Sequence, residues 1–273
     1  MLSRIKRGTR ACTRNSTSKI VLCRRSQITV FVIIAILLVS VLLVVFWPKI
    51  ENVVFGSAEP EAFMISCVND KAEESLSLIT KRGGSLNPEN AIMYQGENVE
   101  YLCYTNEYYK TCSNQQPLLK QHIQEELEAE LRPVVKQCAL TLREDLQRQG
   151  YVVALGNTNI GVEIIPSSIV FDIDMDLALT KDTSTTYDSV KFSMDSKLYD
   201  LLMISTSILN YEASLGDSDP LTYMLYYPDL KVEKYKQSDG SKIYILTDRI
   251  TEDQFVFASR SLSWPPGFST NTV

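Results

Sequence analysis

Ile169-Val170-Phe171-Asp172-Ile173-Asp174-Met175-Asp176-Leu177-Ala178-Leu179 alternates apolar and acidic side chains along most of its length. A β-strand sends successive side chains to opposite faces. Phe171, Ile173, Met175, Leu177 and Leu179 therefore share one face, and Asp172, Asp174 and Asp176 share the other. One apolar and one charged face is the pattern of an antiparallel sheet covered on one side. Working outward, Thr185–Met194 keeps the same period and pairs back through a turn at Lys181-Asp182-Thr183. Upstream, Tyr151–Leu155 and Ile160–Ile165 flank Gly156-Asn157-Thr158-Asn159, which predicts a hairpin. Downstream, Leu230–Lys236, Ile243–Thr247 and Gln254–Ser259 predict three more strands, the first two joined across Ser238-Asp239-Gly240.

Between and before these strands the period lengthens to that of a helix. Pro60 can open a helix because its missing N–H is not needed at the first position. Ile65, Val68, Ala72, Leu76 and Ile79 then recur at spacings of three and four, and Gly83-Gly84 ends the run. Pro117–Gly150 predicts the longest helix of this region, with Leu119, Ile123, Leu127, Leu131, Val135, Cys138, Leu142 and Leu146 on one face. Pro133 lies inside it and should kink or split it. Ser196–Leu215 predicts a third helix with Leu198, Leu201, Leu202, Ser205, Ile208 and Leu209 inward, broken at Asp217–Pro220. Asn87–Gln116 reads as a long irregular polar connection carrying Tyr94, Tyr101, Tyr104, Tyr108 and Tyr109. Hairpins with separate helices, rather than strand–helix alternation, predict an α+β fold: an antiparallel sheet with helices packed on one face.

Ile28–Trp47 is a run of twenty residues without a charge. A bilayer core about 30 Å thick needs about 20 apolar residues in a helix. The run ends in Phe46-Trp47-Pro48-Lys49, an aromatic and a lysine placed as an interfacial anchor. A secretory signal would be shorter and would end in small residues. The expected organisation is a basic cytoplasmic arm over 1–27, a transmembrane helix over 28–47, a tether over 48–59, an α+β domain over 60–264 and a flexible tail over 265–273.

Charge is divided between these parts. The arm holds eight Lys and Arg and no acid, so a chain of formal charge −6 leaves −14 for everything after Gln27. By the positive-inside rule the arm stays in the cytoplasm and the acidic domain lies outside. The lipid bilayer is thus one expected partner. An acidic domain repels phosphate backbones, so nucleic acid is not expected to be one.

Arg24-Arg25-Ser26-Gln27-Ile28-Thr29-Val30-Phe31-Val32-Ile33-Ile34 resembles the start of uncharacterised archaeal single-span membrane proteins. That start is in turn similar to the archaeal type IV prepilin signal, which is cut before the Gln. Ser26 stands here where Gly is usual, and Phe31 where pilins usually carry Glu. Cys67-Val-Asn-Asp-Lys-Ala-Glu-Glu-Ser-Leu76, closing on Gly83-Gly84, also resembles those archaeal proteins. The resemblance implies a membrane anchor, or a pilin-like subunit whose anchor helix packs in a filament core. It implies no activity.

Of six cysteines, Cys12 and Cys23 lie in the arm, and Cys67, Cys103, Cys112 and Cys138 lie in the domain expected outside. Four cysteines in an oxidising compartment suggest two disulfides, with three possible connectivities. Cys67 and Cys138 fall on the apolar stripes of two predicted helices, and packing of those stripes would bring them together. Cys103 and Cys112 share one irregular segment. The expected pairs are Cys67–Cys138 and Cys103–Cys112, the competing account being that Cys67 and Cys138 are simply small buried side chains.

No catalytic frame is found. The single histidine, His122, sits among Lys120, Gln121 and Gln124 and reads as a surface helix residue. No nucleophile elbow or phosphate loop accompanies it. Asp172, Asp174 and Asp176 are the only candidate metal ligands. Successive members would stand about 7 Å apart on a strand, too far for one calcium ion without a loop acid such as Asp182 or Asp188. The solvated face of a half-buried strand explains them without a metal. The tyrosine-rich segment could bind a glycan or a partner, or pack under its own loop. No cofactor and no enzymatic activity are expected. The expected role is binding or scaffolding at the cell envelope, with an envelope protein as partner. The alternatives are a type IV pilin-like filament or secretion-system subunit, and an envelope hydrolase or calcium-binding domain using acidic residues.

Overall fold

The computed structural model describes residues 32–38 and 59–263. The chain divides into two compact units, Met1–Ala58 and Glu59–Val273. In the first, residues 32–38 form helix α1 with every side chain exposed. No helix among the described residues is long and apolar enough to cross a membrane. The basic arm, the remainder of the expected anchor, nearly all of the tether and the tail lie outside the described residues.

The second unit is a mixed α+β structure with antiparallel sheets and helices packed against them. Helix α2 spans Pro60–Lys81, with proline in its first turn and a buried stripe of Met64, Val68, Ala72, Ser75 and Ile79. Helix α3 spans Leu119–Arg148 and buries the expected apolar stripe, including Cys138. It runs unbroken through Pro133, against the expected kink or split. Pro133 and Ala129, whose carbonyl loses its partner, are both exposed, so water can satisfy that carbonyl.

Helices α2 and α3 pack together, and the Cys67–Cys138 disulfide joins them with a Cα separation of 6.1 Å. Cys67 is not on the inward face of α2. It sits exposed beside buried Val68, at the edge of the stripe. The Cys103–Cys112 disulfide closes a separate short loop.

Helix α3 also packs on strand β4 (Val152–Ile165) of a three-stranded antiparallel sheet. That sheet continues with β5 (Ser168–Thr180) and β6 (Ser184–Asp195), in the order β4-β5-β6. The hairpin expected at Gly156–Asn159 does not form. That segment lies inside β4, where the register shifts between Leu155 and Thr158. A Cβ on Gly156 would meet the Asp176 Cβ at 2.7 Å, so only glycine lets the bulge approach β5 there. The turn falls instead at Pro166-Ser167, with Ser167 at φ +69°.

A second sheet replaces the single one expected. It has six strands, in the order β1-β2-β9-β8-β7 with β3 also paired to β2. Its members are β1 (Ala91–Tyr94), β2 (Glu97–Tyr104), β3 (Ser113–Asn114), β7 (Leu230–Lys236), β8 (Ser241–Asp248) and β9 (Gln254–Arg260). The Asn87–Gln116 segment is therefore a strand-bearing excursion, not an irregular connection. Strand β2 runs parallel to β9, pairing Tyr101 with Ala258, while the other pairings are antiparallel.

This sheet is apolar on both faces. Leu102, Tyr244, Leu246, Phe255 and Phe257 join the main core with the helices. Val99, Tyr101, Ile243, Ile245, Val256 and Ala258 form a second cluster on the opposite face. Helix α4 (Leu198–Leu215) packs against β9 and ends at Gly216, whose φ of +83° is left-handed. A short helix α5 (Pro220–Tyr226) follows and packs on β7.

Candidate binding surface

Helix α4 carries two apolar faces. The first buries Leu198, Leu201, Leu202, Ser205, Ile208 and Leu209 in the core. The second runs through Met203, Ser207, Tyr211 and Leu215, spaced by four residues and therefore aligned on one side. Met203, Tyr211 and Leu215 are exposed. A helix apolar over so much of its circumference normally has that surface covered. Helix α5 extends this face with Leu221, Leu225 and Tyr226, and Tyr227 follows; Leu225 is 80% and Tyr226 78% exposed. Ile250, at the β8–β9 turn, adds another side chain at 73% exposure.

Two grooves indent this face and share Tyr226 and Tyr227 as their common wall. The first, of about 430 Å³, has Met203, Ile204, Leu230 and Ile250 in its lining and acidic groups at Asp200, Asp229 and Asp248. The second, of about 570 Å³, is lined by Tyr211, Leu215, Thr222 and Tyr223, with Asp217 and Asp219. Tyr223 is held in place by Ser207, hydroxyl to hydroxyl at 3.1 Å.

A buried polar network fixes the α4–α5 junction that floors the second groove. Glu212, fully buried on α4, accepts from Lys242 Nζ at 2.7 and 3.0 Å, from Ser259 Oγ at 3.0 Å and from the Tyr244 hydroxyl. Lys242 also donates to the Gly216 carbonyl at 2.6 Å, placing a cation where the helix C-terminus is negative. Asp217 sits between Lys242, at 3.1 Å, and Lys234, at 3.0 Å, and Lys234 reaches the Ser218 carbonyl at 2.7 Å. Burial alone would raise the Asp217 carboxyl, but the Lys242 and Lys234 ammonium groups outweigh it and hold the group below its ordinary value. Burial, reinforced by the adjacent Glu212 carboxylate, pushes the Tyr244 phenol well above its ordinary value. The buried charges of this network, Glu212, Lys242, Asp217 and Lys234, are thus each paired and hydrogen-bonded, the condition for a buried ion pair to be tolerated.

The other end of α4 is anchored as firmly. Asp253 accepts from the Lys197 N–H at 2.5 Å and from Ser196 Oγ at 3.1 Å. Asp219 caps α5 by accepting from the Leu221 N–H at 3.1 Å, and Pro220 occupies the first helical position. The grooved face is therefore built on a framework held at both ends.

The aspartate face of β5 looks different. Asp172 is half-buried and pairs with Lys191 at 2.6 Å, while Asp174 and Asp176 are exposed. Among the described residues, no three His, Cys, Asp or Glu side chains gather where they could hold a metal ion.

His122 is not the plain surface residue expected. It is half-buried, with Nε2 2.8 Å from Ser85 Oγ, and Ser85 donates to Glu100 Oε2 at 2.5 Å. Ser85 has one proton and gives it to Glu100, so toward His122 its oxygen is left as an acceptor. In a catalytic triad the imidazole takes the hydroxyl proton. Here the order is carboxylate, hydroxyl, imidazole, which ties the turn after α2 to β2 and α3.

The tyrosines of Asn87–Gln116 divide. Tyr94 packs on Tyr235 with ring centroids 5.9 Å apart, and Tyr101 on Tyr104 at 5.1 Å. Tyr108 and Tyr109 are exposed on the loop closed by Cys103–Cys112.

Sequence reasoning missed the α4–α5 face. The signal was present: positions 203, 207, 211 and 215 repeat at helical spacing without a charge. No family model, curated protein or solved structure matches the chain.

Proposed function

We propose that the chain is a membrane-anchored extracytoplasmic protein of the cell envelope that binds or scaffolds another envelope protein, without catalysis, through its α4–α5 face. The observation that carries the reading is that face: eight large apolar side chains exposed together, on elements pinned from below by a buried ion network. Solitary exposed apolar residues are ordinary, whereas a grooved apolar patch marks an interaction site. The uncharged run Ile28–Trp47 and the eight basic residues before it support the anchor and its direction. Two disulfides suit a domain in an oxidising compartment.

The test is mild crosslinking of the full chain in intact membranes, comparing wild type with Leu225→Asp/Tyr226→Asp. Both residues are exposed, so the change leaves the core alone. Wild type should give defined adducts that the variant loses. An unchanged adduct pattern would remove the face from the function.

The prepilin-like stretch Arg24–Ile34 favours a second reading, a type IV pilin-like filament or secretion-system subunit. Loss of Met1–Ser26 in the intact mass of purified protein would support it, and retention would oppose it.

A further inference from the structure

We infer that the occupant of the α4–α5 face is a basic amphipathic helix of a partner protein, its apolar side in the two grooves and its Lys or Arg side chains on Asp200 and Asp229. This inference rests on the reading of that face as the binding surface.

Charge selects the partner. Of the five aspartates on the grooves, three are engaged within the fold. Asp248 accepts from the Ile250 and Thr251 N–H groups, Asp219 caps α5, and Asp217 lies between Lys234 and Lys242. Asp200 and Asp229 are exposed, and neither side chain has an ion pair or hydrogen bond among the described residues. The single basic side chain in the lining, Lys197, turns its ammonium to Ser167 Oγ at 3.3 Å. Two unpaired carboxylates thus stand at the rim of an apolar floor. The faces of Tyr211, Tyr226 and Tyr227 carry the negative side of the ring quadrupole and add to the preference for cations.

The same balance disfavours other occupants. A second copy would bring two domains of charge −14 together, and an anionic lipid surface would meet the same repulsion. Geometry selects the helix. The stripe from Asp200 to Leu215, exposed at Asp200, Met203, Tyr211 and Leu215 and half-buried at Ser207, is about 22 Å long at a rise of about 1.5 Å per residue. Beside it lies α5, and an amphipathic helix binds by laying its apolar face into a hydrophobic groove of this kind.

The probe is a synthetic fifteen-residue Leu/Lys amphipathic helix, with the matching Leu/Glu peptide as counterpart. Binding is measured to the full chain in zwitterionic nanodiscs against empty discs. The Leu/Lys peptide should bind and weaken as salt rises, and the Leu/Glu peptide should not bind. Asp200→Asn/Asp229→Asn and Tyr226→Ala should each weaken binding by about tenfold or more. Asp174→Asn/Asp176→Asn removes the same charge elsewhere and should change it by less than about twofold. Equal loss in both aspartate pairs would reduce the effect to bulk charge and overturn the inference. So would binding of the Leu/Glu peptide, no binding of either, or a Tyr226-dependent dimer by sedimentation. Crosslinked adducts that depend on Leu225 and Tyr226, without Leu/Lys binding, would keep the binding face and remove only the basic partner.

Discussion

Removing the Glu212 carboxylate leaves Lys242 with one acidic partner, Asp217, at the end of α4. Glu212→Gln and Lys242→Met should each cost about 3–5 kcal/mol in urea unfolding, the range for breaking a buried pair from one side. The double change should cost less than the sum, because the two side chains share one network. Asp217 adds a pH dependence. Its carboxyl is held below the ordinary value of 3.8, so its contribution is fully present above that value and is lost as the pH falls through the lower folded value. Asp217→Asn should flatten the fall of stability below about pH 4. On β5, changing Asp172, Asp174 and Asp176 together to Asn should leave the melting temperature within a few degrees, since Asp174 and Asp176 are exposed and a surface pair such as Lys191–Asp172, with its ammonium end in solvent, contributes about 0–1 kcal/mol. Calcium should not shift it. A calcium-dependent rise abolished by the triple change would make the strand a metal site. None of the Glu212 network was legible in sequence. Glu212 and Lys242 are thirty residues apart, and a charge in a helix pattern looks solvated until a sheet closes over it.

At the scale of elements, the two disulfides differ in what they constrain. Cys67–Cys138 closes 71 residues and should contribute about 4 kcal/mol in the chain-entropy model. Cys103–Cys112 closes nine and should contribute about 2–3 kcal/mol in the same model. Cys67→Ser/Cys138→Ser should therefore lower the unfolding midpoint more than Cys103→Ser/Cys112→Ser. The reverse order would mean that α2 and α3 hold together without their link. Helices α2, α3 and α4 were readable because their buried stripes recur over four or more turns. Strands β1 to β3 were not. Glu97-Asn98-Val99-Glu100 offers no clear alternation, and β2 gains its main partner only from β9, more than a hundred residues later. Helix α5, at seven residues, is too short for periodicity to reveal.

At the scale of the whole molecule, the division of charge predicts the topology. Protease added to intact cells should degrade the part after Pro48 and spare the arm. Protection of that part would overturn the extracytoplasmic placement and, with it, the reason for expecting disulfides. The charge of −14 beyond the arm also bears on association. Raising salt should strengthen any self-association and weaken a basic partner, so the two respond in opposite directions.

Local periodicity determined the helices α2 to α4, the alternation of β5 and the α+β class, because each depends on side chains within a few turns or pleats of one another. Spacing on helical stripes also drew attention to Cys67 and Cys138. Tertiary structure alone decided that Gly156–Asn159 stays in a strand, since the reason is the approach of Asp176 from β5. It alone decided that there are two sheets, since β2 and β9 must meet in parallel across the chain. It alone separated the aspartates of the α4–α5 face into those engaged in caps and ion pairs and the two left open, since a carboxylate's partners lie far away in sequence and close in space.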